Sequence, residues 1–144
     1  MWRQPGSIFK PFVYSAALEK GVTPTTVVND APLFYSAIET GGKPWEPKNY
    51  DGQFEGPMSI RRALAKSKNM VSIRVLQLVG TQSAQEWVTH FGFEADKHPP
   101  YLTMALGAGT VTPMQMAAGY AVFGNGGYRV TPSLVSKVVE HKGR

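Results

Sequence analysis

A serine and a lysine stand three residues apart near the start of the chain, as Ser7 and Lys10. If a helix begins here, that spacing places both side chains on one helical face. A serine hydroxyl becomes a nucleophile when a neighbouring base removes its proton, and burial or a nearby cation can make a lysine amine such a base. A helix N-terminus beside Ser7 would favour a developing oxyanion. The pair predicts acyl transfer, although a serine cap followed by an exposed lysine has the same spacing.

A second polar group, Ser67, Lys68 and Asn69, lies in a short break between two predicted helices. In such a break the side chains are free to point into a cleft. Together with Ser7 and Lys10 they would supply a nucleophile, its base, a proton relay and an amide that grips a peptide. We expect burial and the charge of Lys68 to lower the pKa of Lys10. This interpretation requires both segments to share one pocket.

The elements that must position these groups are mostly helices. Apolar residues from Ser7 to Lys20 predict a helix that ends at Gly21, and Pro11 fits only if that helix has just begun. Residues 23–57 are rich in Gly, Pro, Asn and Asp, which predicts a long ordered loop with one or two short extended pieces. Its aromatic residues are expected to anchor it to the core; they are Trp45, Tyr50 and Phe54.

Caps and apolar spacing predict further helices along the rest of the chain. Ser59 can cap a helix that reaches Lys66, and Thr112 with Pro113 begins another. A capping box is expected from Ser83 to Glu86. The other predicted elements are helices at 70–79, 87–91 and 114–123, and strands at 128–130 and 134–139. The sequence therefore predicts a mainly α fold with a few short strands.

The 144 residues carry a formal net charge of +5 and contain no cysteine. Without cysteine there is no disulfide and no thiolate metal site. The positive charges are mostly interleaved with carboxylates, and the one dense group alternates around a predicted helix, which is typical of a solvated face. That group is Arg61, Arg62, Lys66 and Lys68. We therefore expect no nucleic-acid partner.

No cofactor and no metal is indicated. The three histidines, His90, His98 and His141, lack the paired spacing of metal ligands, and we expect them at the surface or in loops. No run of about 18 apolar residues predicts a membrane span. No signal peptide is visible, so any targeting segment is expected in further sequence.

Five landmarks resemble one protein family. They are residues 3–7 (RQPGS), 45–50 (WEPKNY), 65–69 (AKSKN), 112–117 (TPMQMA) and 120–127 (YAVFGNGG). Ser-x-x-Lys followed by Ser-x-Asn is a motif combination of penicillin-binding proteins and serine β-lactamases. In their order and spread over the chain, the five landmarks are similar to the bifunctional, class A penicillin-binding proteins of the 1A type.

The resemblance implies a role for each polar residue. Ser7 resembles the acylated nucleophile, whose backbone N–H forms half of the oxyanion hole, and Lys10 resembles its general base. Ser67 resembles the hydroxyl that passes a proton to the departing D-alanine. Asn69 resembles the amide that holds the peptide backbone of the substrate.

The implied reaction is D,D-transpeptidation at the periplasmic face of the bacterial inner membrane. Ser7 would attack the D-Ala-D-Ala bond of a peptidoglycan stem peptide, and an amine of a neighbouring stem would resolve the acyl-enzyme into a crosslink. β-Lactams would be covalent inhibitors that stall at the acyl stage. Membrane anchoring is expected only through other parts of the parent protein.

One family landmark, Lys-Thr-Gly or Lys-Ser-Gly on an edge strand, does not occur in the 144 residues. Lys142-Gly143-Arg144 is not a substitute for this motif, because it lacks the hydroxyl residue and lies earlier in the chain than the family's motif would. The family's strands before Ser-x-x-Lys are missing too. The resemblance thus implies that residues 1–144 are a partial transpeptidase domain, the helical middle of the α/β penicillin-binding (serine β-lactamase-like) fold, with most of its sheet missing at both ends. We expect an active parent protein and a weak or inactive fragment.

Two alternatives share the same residues. A serine β-lactamase or D,D-carboxypeptidase of this superfamily would keep Ser7, Lys10, Ser67 and Asn69. A class A β-lactamase also needs a carboxylate that activates water, and the nearest candidates, Glu86 and Glu94, are better explained as a cap and a loop charge. A non-catalytic, truncated binding module would keep the fold without the chemistry.

Overall fold

The computed structural model describes residues 1–126. Helices dominate this part, and β1 (Val27–Asp30) and β2 (Gly56–Ser59) form an antiparallel two-stranded sheet. The α-helices are α1 (Lys10–Glu19), α2 (Ala37–Thr40), α3 (Ile60–Ala65), α4 (Asn69–Val79), α5 (Thr81–Val88) and α6 (Pro113–Gly124). Short 3-10 helices span Gly6–Phe9, Thr89–Phe91, Ala95–Lys97 and Leu102–Leu106. The prediction of a mainly α fold with short strands is confirmed.

Helix α1 is the centre of the described fold, and its residues 10–17 are all buried. A helix buried all round shows no clean polar face in its sequence. The α-helix begins at Lys10, after the 3-10 turn Gly6–Phe9, and not at Ser7 as predicted. Pro11 explains the shift, because the first helical positions need no N–H donor and tolerate a proline.

Helix α4 lies between α1 and the sheet. Tyr14 on α1 reaches it with its hydroxyl 3.1 Å from Ser72 Oγ, and burial raises the pKa of that phenol. In the sheet, Val27 pairs with Ser59 and Asp30 with Gly56. This register places Asp30, a buried carboxylate, beside the loop that leads into β2.

An aromatic cluster joins α1 to the second half of the described chain. The ring centroid of Phe12 lies 4.8 Å from that of Phe93 and 4.9 Å from that of Phe123. Gly119 on α6 makes room for these rings, because a Cβ there would lie 3.0 Å from the Phe12 ring. The cluster fixes α6 against the helix that follows Ser7.

Several predicted caps hold and one is wrong. Ser59 Oγ accepts a hydrogen bond from the N–H of Arg62 at 3.2 Å, as predicted for the start of α3. Helix α6 starts at Pro113 after Thr112, also as predicted. The capping box from Ser83 to Glu86 is wrong, because Gly80 both ends α4 and precedes α5, so that these residues lie inside α5.

The loop of residues 23–57 is more structured than predicted. It contains the short helix α2, which is not among the predicted helices and which starts with a capping box of Ser36 and Glu39. Trp45 stacks on Tyr35 with ring centroids 5.5 Å apart, as an anchor should. Tyr50 is 99% exposed, so the expectation that it anchors the loop is wrong. Phe54 is also exposed.

Some predicted features lie outside the described residues: the strands at 128–130 and 134–139, His141, and Lys142-Gly143-Arg144. Within residues 1–126, no helix combines the length and the apolar character that crossing a membrane requires.

His98 lies in a loop, as expected, but it is completely buried. Its imidazole stacks on Phe9 with ring centroids 4.6 Å apart. Gly109 packs closely against the side chain of His98, because a Cβ added to Gly109 would lie 2.3 Å from His98 Nδ1. Neither ring nitrogen has a hydrogen-bond partner among the described residues. Burial lowers the pKa of His98 from 6.5 to about 4.

We predict that replacing His98 by phenylalanine makes folding less sensitive to acid. Between pH 6.5 and about pH 4 the unfolded chain binds a proton at His98 that the folded chain does not, so stability falls as the pH falls. The phenyl ring keeps the stacking on Phe9 and cannot be protonated. Urea unfolding between pH 7.5 and 4.5 measures the effect. If the stability of His98→Phe falls as steeply with pH as that of the unsubstituted chain, the assignment of this pH dependence to His98 is contradicted.

Candidate active site

The backbone before Ser7 is held by a second segment of the chain. Arg3 and Val111 exchange two backbone hydrogen bonds of 2.9 Å, and the N–H of Gly6 donates to Gly107 O at 3.2 Å. Gly107 has φ +72°, and a Cβ built on it would lie 2.0 Å from Gly6 O. The close contact between two glycines therefore fixes the turn that carries Ser7.

Lys10 is buried, with 1% of its surface exposed, and it contacts the second predicted group. Its Nζ donates to Ser67 Oγ at 2.9 Å, to Ser67 O at 3.1 Å and to Asn69 Oδ1 at 2.7 Å. These bonds join segments that are 57 and 59 residues apart in sequence. The amine of α1 thus lies against the turn between α3 and α4.

Ser67 adopts a left-handed backbone conformation with φ +57°, which makes it the only non-glycine residue with positive φ among residues 1–126. Helix α3 ends there in a Schellman motif, since the N–H of Ser67 donates to Leu64 O and that of Lys68 to Ala63 O. Glycine usually occupies this position, and a side chain there costs about 1 kcal/mol. The turn therefore carries strain that its surroundings must offset.

Asn69 is the first residue of α4 and contacts both neighbouring segments. Its Oδ1 accepts from Lys10, and its Nδ2 donates to Lys48 O at 2.8 Å. The next N–H of α4, that of Met70, donates to the side chain of Asn49 at 3.1 Å. A distant loop residue thus caps this helix, because Lys68 at the N-cap position has no side-chain acceptor.

A cavity of about 620 Å³ opens between these segments. Its walls are formed by Ser7, Asn49, Tyr50, Asp51, Lys66, Ser67, Lys68 and Asn69. The volume lies within the range of small-molecule sites. The structure therefore brings the predicted residues Ser7, Ser67 and Asn69 to one cavity, with Lys10 hydrogen-bonded to two of them.

Lys68 is not part of a solvated face, which corrects the expectation from the charge pattern. Its side chain is 1% exposed, and its Nζ lies 3.1 Å from Asp30 Oδ2, 3.0 Å from Asp51 Oδ2 and 3.0 Å from Glu55 Oε2. Burial opposes the ammonium form, but hydrogen bonds to Asp51, Glu55 and Asp30 outweigh it and raise the pKa of Lys68. The side chain therefore remains a cation.

Glu55 connects the buried ion pair of Lys68 and Asp30 to α3. It accepts from Lys66 at 2.8 Å and from Arg62 at 3.1 Å, and both of these cations are exposed enough to fit the predicted solvated face. Hydrogen bonds from Lys66 and Lys68 lower the pKa of Glu55 to about 2. The backbone N–H of Gln53, followed by Lys68, lowers the pKa of Asp51. Both carboxylates are therefore ionised at neutral pH.

Sequence reasoning missed the acidic partners of Lys68. Asp51 precedes a glycine within the segment of residues 23–57, where its residue type predicts only a loop, and nothing in the sequence marks Asp30 as a partner of Lys68. The carboxylates considered for water activation do not line the cavity: Glu86 lies in α5, and Glu94 accepts a hydrogen bond from Gln115. Within the described part of the chain, no group of three His, Asp or Glu side chains is placed to hold a metal ion.

Comparison with known proteins gives consistent matches. Residues 3–144 match the family model "Penicillin binding protein transpeptidase domain". Penicillin-binding protein 1A of Neisseria flavescens is 51% identical over 142 residues, which are 99% of this chain and 18% of that protein. The crystal structure of penicillin-binding protein 1A from Haemophilus influenzae is 43% identical, with a TM-score of 0.82 over 86% of this chain and 18% of the other. The PonA1 protein of Mycobacterium tuberculosis in complex with penicillin V is 26% identical, with a TM-score of 0.72 over 85% of this chain and 35% of the other.

We predict that Gly107→Ala destabilises the chain by about 3 kcal/mol, because a left-handed alanine costs about 1 kcal/mol and the clash with Gly6 adds about 2 kcal/mol. The matched control is Gly41→Ala, at φ +77° with nothing within 4 Å of the new Cβ. This variant should lose only the stability that a left-handed alanine costs, about 1 kcal/mol. Urea unfolding at neutral pH compares the two. Equal losses would show that the contact between the glycines is not tight.

We predict that Ser67→Gly is more stable than Ser67→Ala by about 1 kcal/mol. Both variants lose the hydroxyl that accepts from Lys10, but only alanine keeps a Cβ in the left-handed conformation. Thermal or urea unfolding of the two variants isolates the backbone contribution. Identical stabilities would mean that the turn is not strained.

Proposed function

The chain belongs to the penicillin-binding protein transpeptidase family, and from this premise we propose that it carries the acyl-transfer centre of a D,D-transpeptidase that crosslinks peptidoglycan stem peptides. One observation supports this assignment above the others. The buried amine of Lys10 donates hydrogen bonds to Ser67 and Asn69 across more than fifty residues of sequence, at the edge of a cavity that Ser7 lines.

In the proposed reaction Ser7 is the nucleophile. Its Oγ attacks the carbonyl carbon of the D-Ala-D-Ala bond, and the tetrahedral intermediate collapses to an acyl-enzyme with loss of D-alanine. An amine of a second stem peptide then attacks the ester, which forms the crosslink and regenerates Ser7. The backbone N–H of Ser7, at the turn before α1, is suited to receive the developing oxyanion.

Lys10 is the proposed general base and Ser67 the proposed proton relay. In its neutral form, the amine of Lys10 accepts the proton of the Ser7 hydroxyl. Ser67 Oγ, 2.9 Å from Lys10 Nζ, can then pass a proton from the lysine to the departing D-alanine. The placement of Lys10 supports this role, because its buried amine contacts both Ser67 and Asn69 beside the cavity that Ser7 lines.

Asn69 is the proposed contact to the peptide backbone of the substrate. It lines the cavity, and its amide is held between Lys10 and Lys48 O, so its orientation is fixed before the substrate arrives. An amide offers both a donor and an acceptor, which matches the two groups of a peptide bond.

β-Lactams are the proposed covalent inhibitors. A strained β-lactam carbonyl would be attacked by Ser7 in the same way and would leave an acyl group on the serine. The similarity to the PonA1 protein, whose structure holds penicillin V, supports this proposal.

The chain spans about 18% of the length of the relatives it matches, so the whole reaction is proposed for a protein of their length. We propose that such a protein works at the periplasmic face of the inner membrane. The 144 residues contain no Lys-Thr-Gly, the motif that we expect to provide the second oxyanion donor. Losing one such donor typically lowers the rate by about 10²- to 10³-fold, so the chain alone should be acylated slowly or not at all.

We predict that a fluorescent penicillin labels Ser7 in a hybrid protein in which this chain replaces the 142 aligned residues of the Neisseria flavescens relative. Ser7→Ala should abolish labelling, and Lys10→Met should slow it by about 10²- to 10⁴-fold. Ser83→Ala, at an exposed serine outside the cavity, is the matched control and should label normally. Gel fluorescence measures the rate, and peptide mapping identifies the modified residue.

Labelling that persists in Ser7→Ala, or maps to another residue, would overturn the nucleophile assignment. The isolated 144-residue chain is tested in parallel. Rapid, stoichiometric labelling of this chain would refute only the proposal that it is weak on its own.

A further inference from the structure

The Ser67–Asn69 turn is held from two sides by two buried lysines. The first, Lys10, donates to Ser67 and Asn69. The second is Lys68, which stands between them and contacts carboxylates instead. We propose that Lys68 is a positioning residue: its ammonium gathers Asp30, Asp51 and Glu55 and thereby holds Ser67 and Asn69 where Lys10 can reach them. The proposal rests on the proposed function of this site.

The contacts of Lys68 come from three separate parts of the segment 30–55. Asp30 is the last residue of β1, Asp51 lies in the turn on the cavity wall, and Glu55 lies just before β2. Lys68 Nζ also donates to Gln53 O at 3.2 Å. A single side chain thus connects the turn between α3 and α4 to β1 and to the loop whose residues Asn49, Tyr50 and Asp51 also line the cavity.

The carboxylate end of this connection is itself fixed. Asp30 Oδ1 accepts from Asn49 Nδ2 at 2.6 Å, and Asp30 Oδ2 accepts from the N–H of Glu55 at 2.9 Å. Asn49 Oδ1 in turn accepts from the N–H of Met70 at the start of α4. Movement of Lys68 would therefore be transmitted to the first turn of α4, which carries Asn69.

The charge of Lys68, and not only its bulk, is needed for this arrangement. Both Lys68 and Asp30 are almost completely buried, and a buried charge without its partner is strongly unfavourable. Ser67 also needs external support, because its left-handed backbone is unfavourable for a residue with a Cβ. Without Lys68, the turn loses its ionic contacts to the loop and keeps only the hydrogen bonds of Asn69 to Lys48 O and of the Met70 N–H to Asn49, so it can relax away from Lys10.

Acylation should be sensitive to such a shift. Lys10 and Ser67 must be correctly placed to move protons, and a displacement of about 1 Å can lower a rate by about 10²-fold. Non-covalent capture of a penicillin involves Asn69 but needs no proton transfer, so it depends less on the placement of Lys10 and Ser67. A positioning role for Lys68 therefore predicts a slower acylation step with little change in the dissociation constant of the preceding complex.

The experiment measures both constants by stopped-flow labelling with a fluorescent penicillin, using the hybrid protein defined above. In Lys68→Met we expect the acylation rate constant per folded molecule to fall about 30- to 100-fold, with a change in the dissociation constant below about 3-fold. Lys68→Arg keeps the charge and should restore part of the rate. The matched control is Arg62→Met, which also loses a cation bound to Glu55, but an exposed one, and should acylate normally.

A second variant covers the case that Lys68→Met does not fold. The double variant Lys68→Met with Asp30→Asn removes both buried charges together, and Asp51→Asn removes only a half-exposed partner. We expect the double variant to acylate as slowly as Lys68→Met, and Asp51→Asn to lose about 3- to 10-fold. Normal acylation rates per folded molecule in these variants would overturn the proposal, since Lys68 would then act only on stability.

A measurement that does not depend on acylation tests this proposal independently of the proposed function. In NMR spectra of the 144-residue chain, the side-chain amide of Asn69 should shift in Asp51→Asn and Lys68→Arg and stay unchanged in Arg62→Met. If the unsubstituted hybrid protein is not acylated, the proposed function fails, yet this shift still tests the positioning. An unchanged Asn69 amide in both variants would overturn it.

Discussion

The structure depends on the burial of Lys10 against the Ser67–Asn69 turn. An amine with 1% exposure is tolerable only if its N–H groups find acceptors, and three bonds to Ser67 and Asn69 satisfy this requirement. The bonds also determine which segments meet, because α1 must lie along α4 for the amine to reach the turn. The packing of the two central helices and the geometry of the site are thus set by the same contacts.

Around this amine, two residues adopt conformations or environments that are unfavourable for folding but that place the side chains of the site. Ser67 occupies a position where glycine would fold more easily, and Lys68 is buried where an apolar side chain would need no partners. Each unfavourable feature is balanced by a specific contact: the Schellman hydrogen bonds for Ser67 and the carboxylates for Lys68. Such locally unfavourable residues that are stabilised by their surroundings are expected at functional sites.

The features that could be predicted from the sequence are those with local causes. Pro and Gly at helix ends, the cap at Ser59 and the start of α6 at Pro113 depend on neighbouring residues only, and they were predicted nearly correctly. The box from Ser83 to Glu86 failed because Gly80 offered an earlier helix start. The burial of Lys68 could not be predicted, because its partner Asp30 lies 38 positions away and only the register of β1 with β2 brings it close.

This difference also separates what the resemblance supplies from what the geometry adds. The motifs point to Ser7, Lys10, Ser67 and Asn69 by residue type and spacing, and they treat the residue between Ser67 and Asn69 as variable. In this chain the residue at that position is not interchangeable, because Lys68 joins the turn both to β1 and to the cavity wall. A motif records the groups that touch a substrate, whereas the contacts that keep those groups in place are particular to each sequence and must be read from its packing.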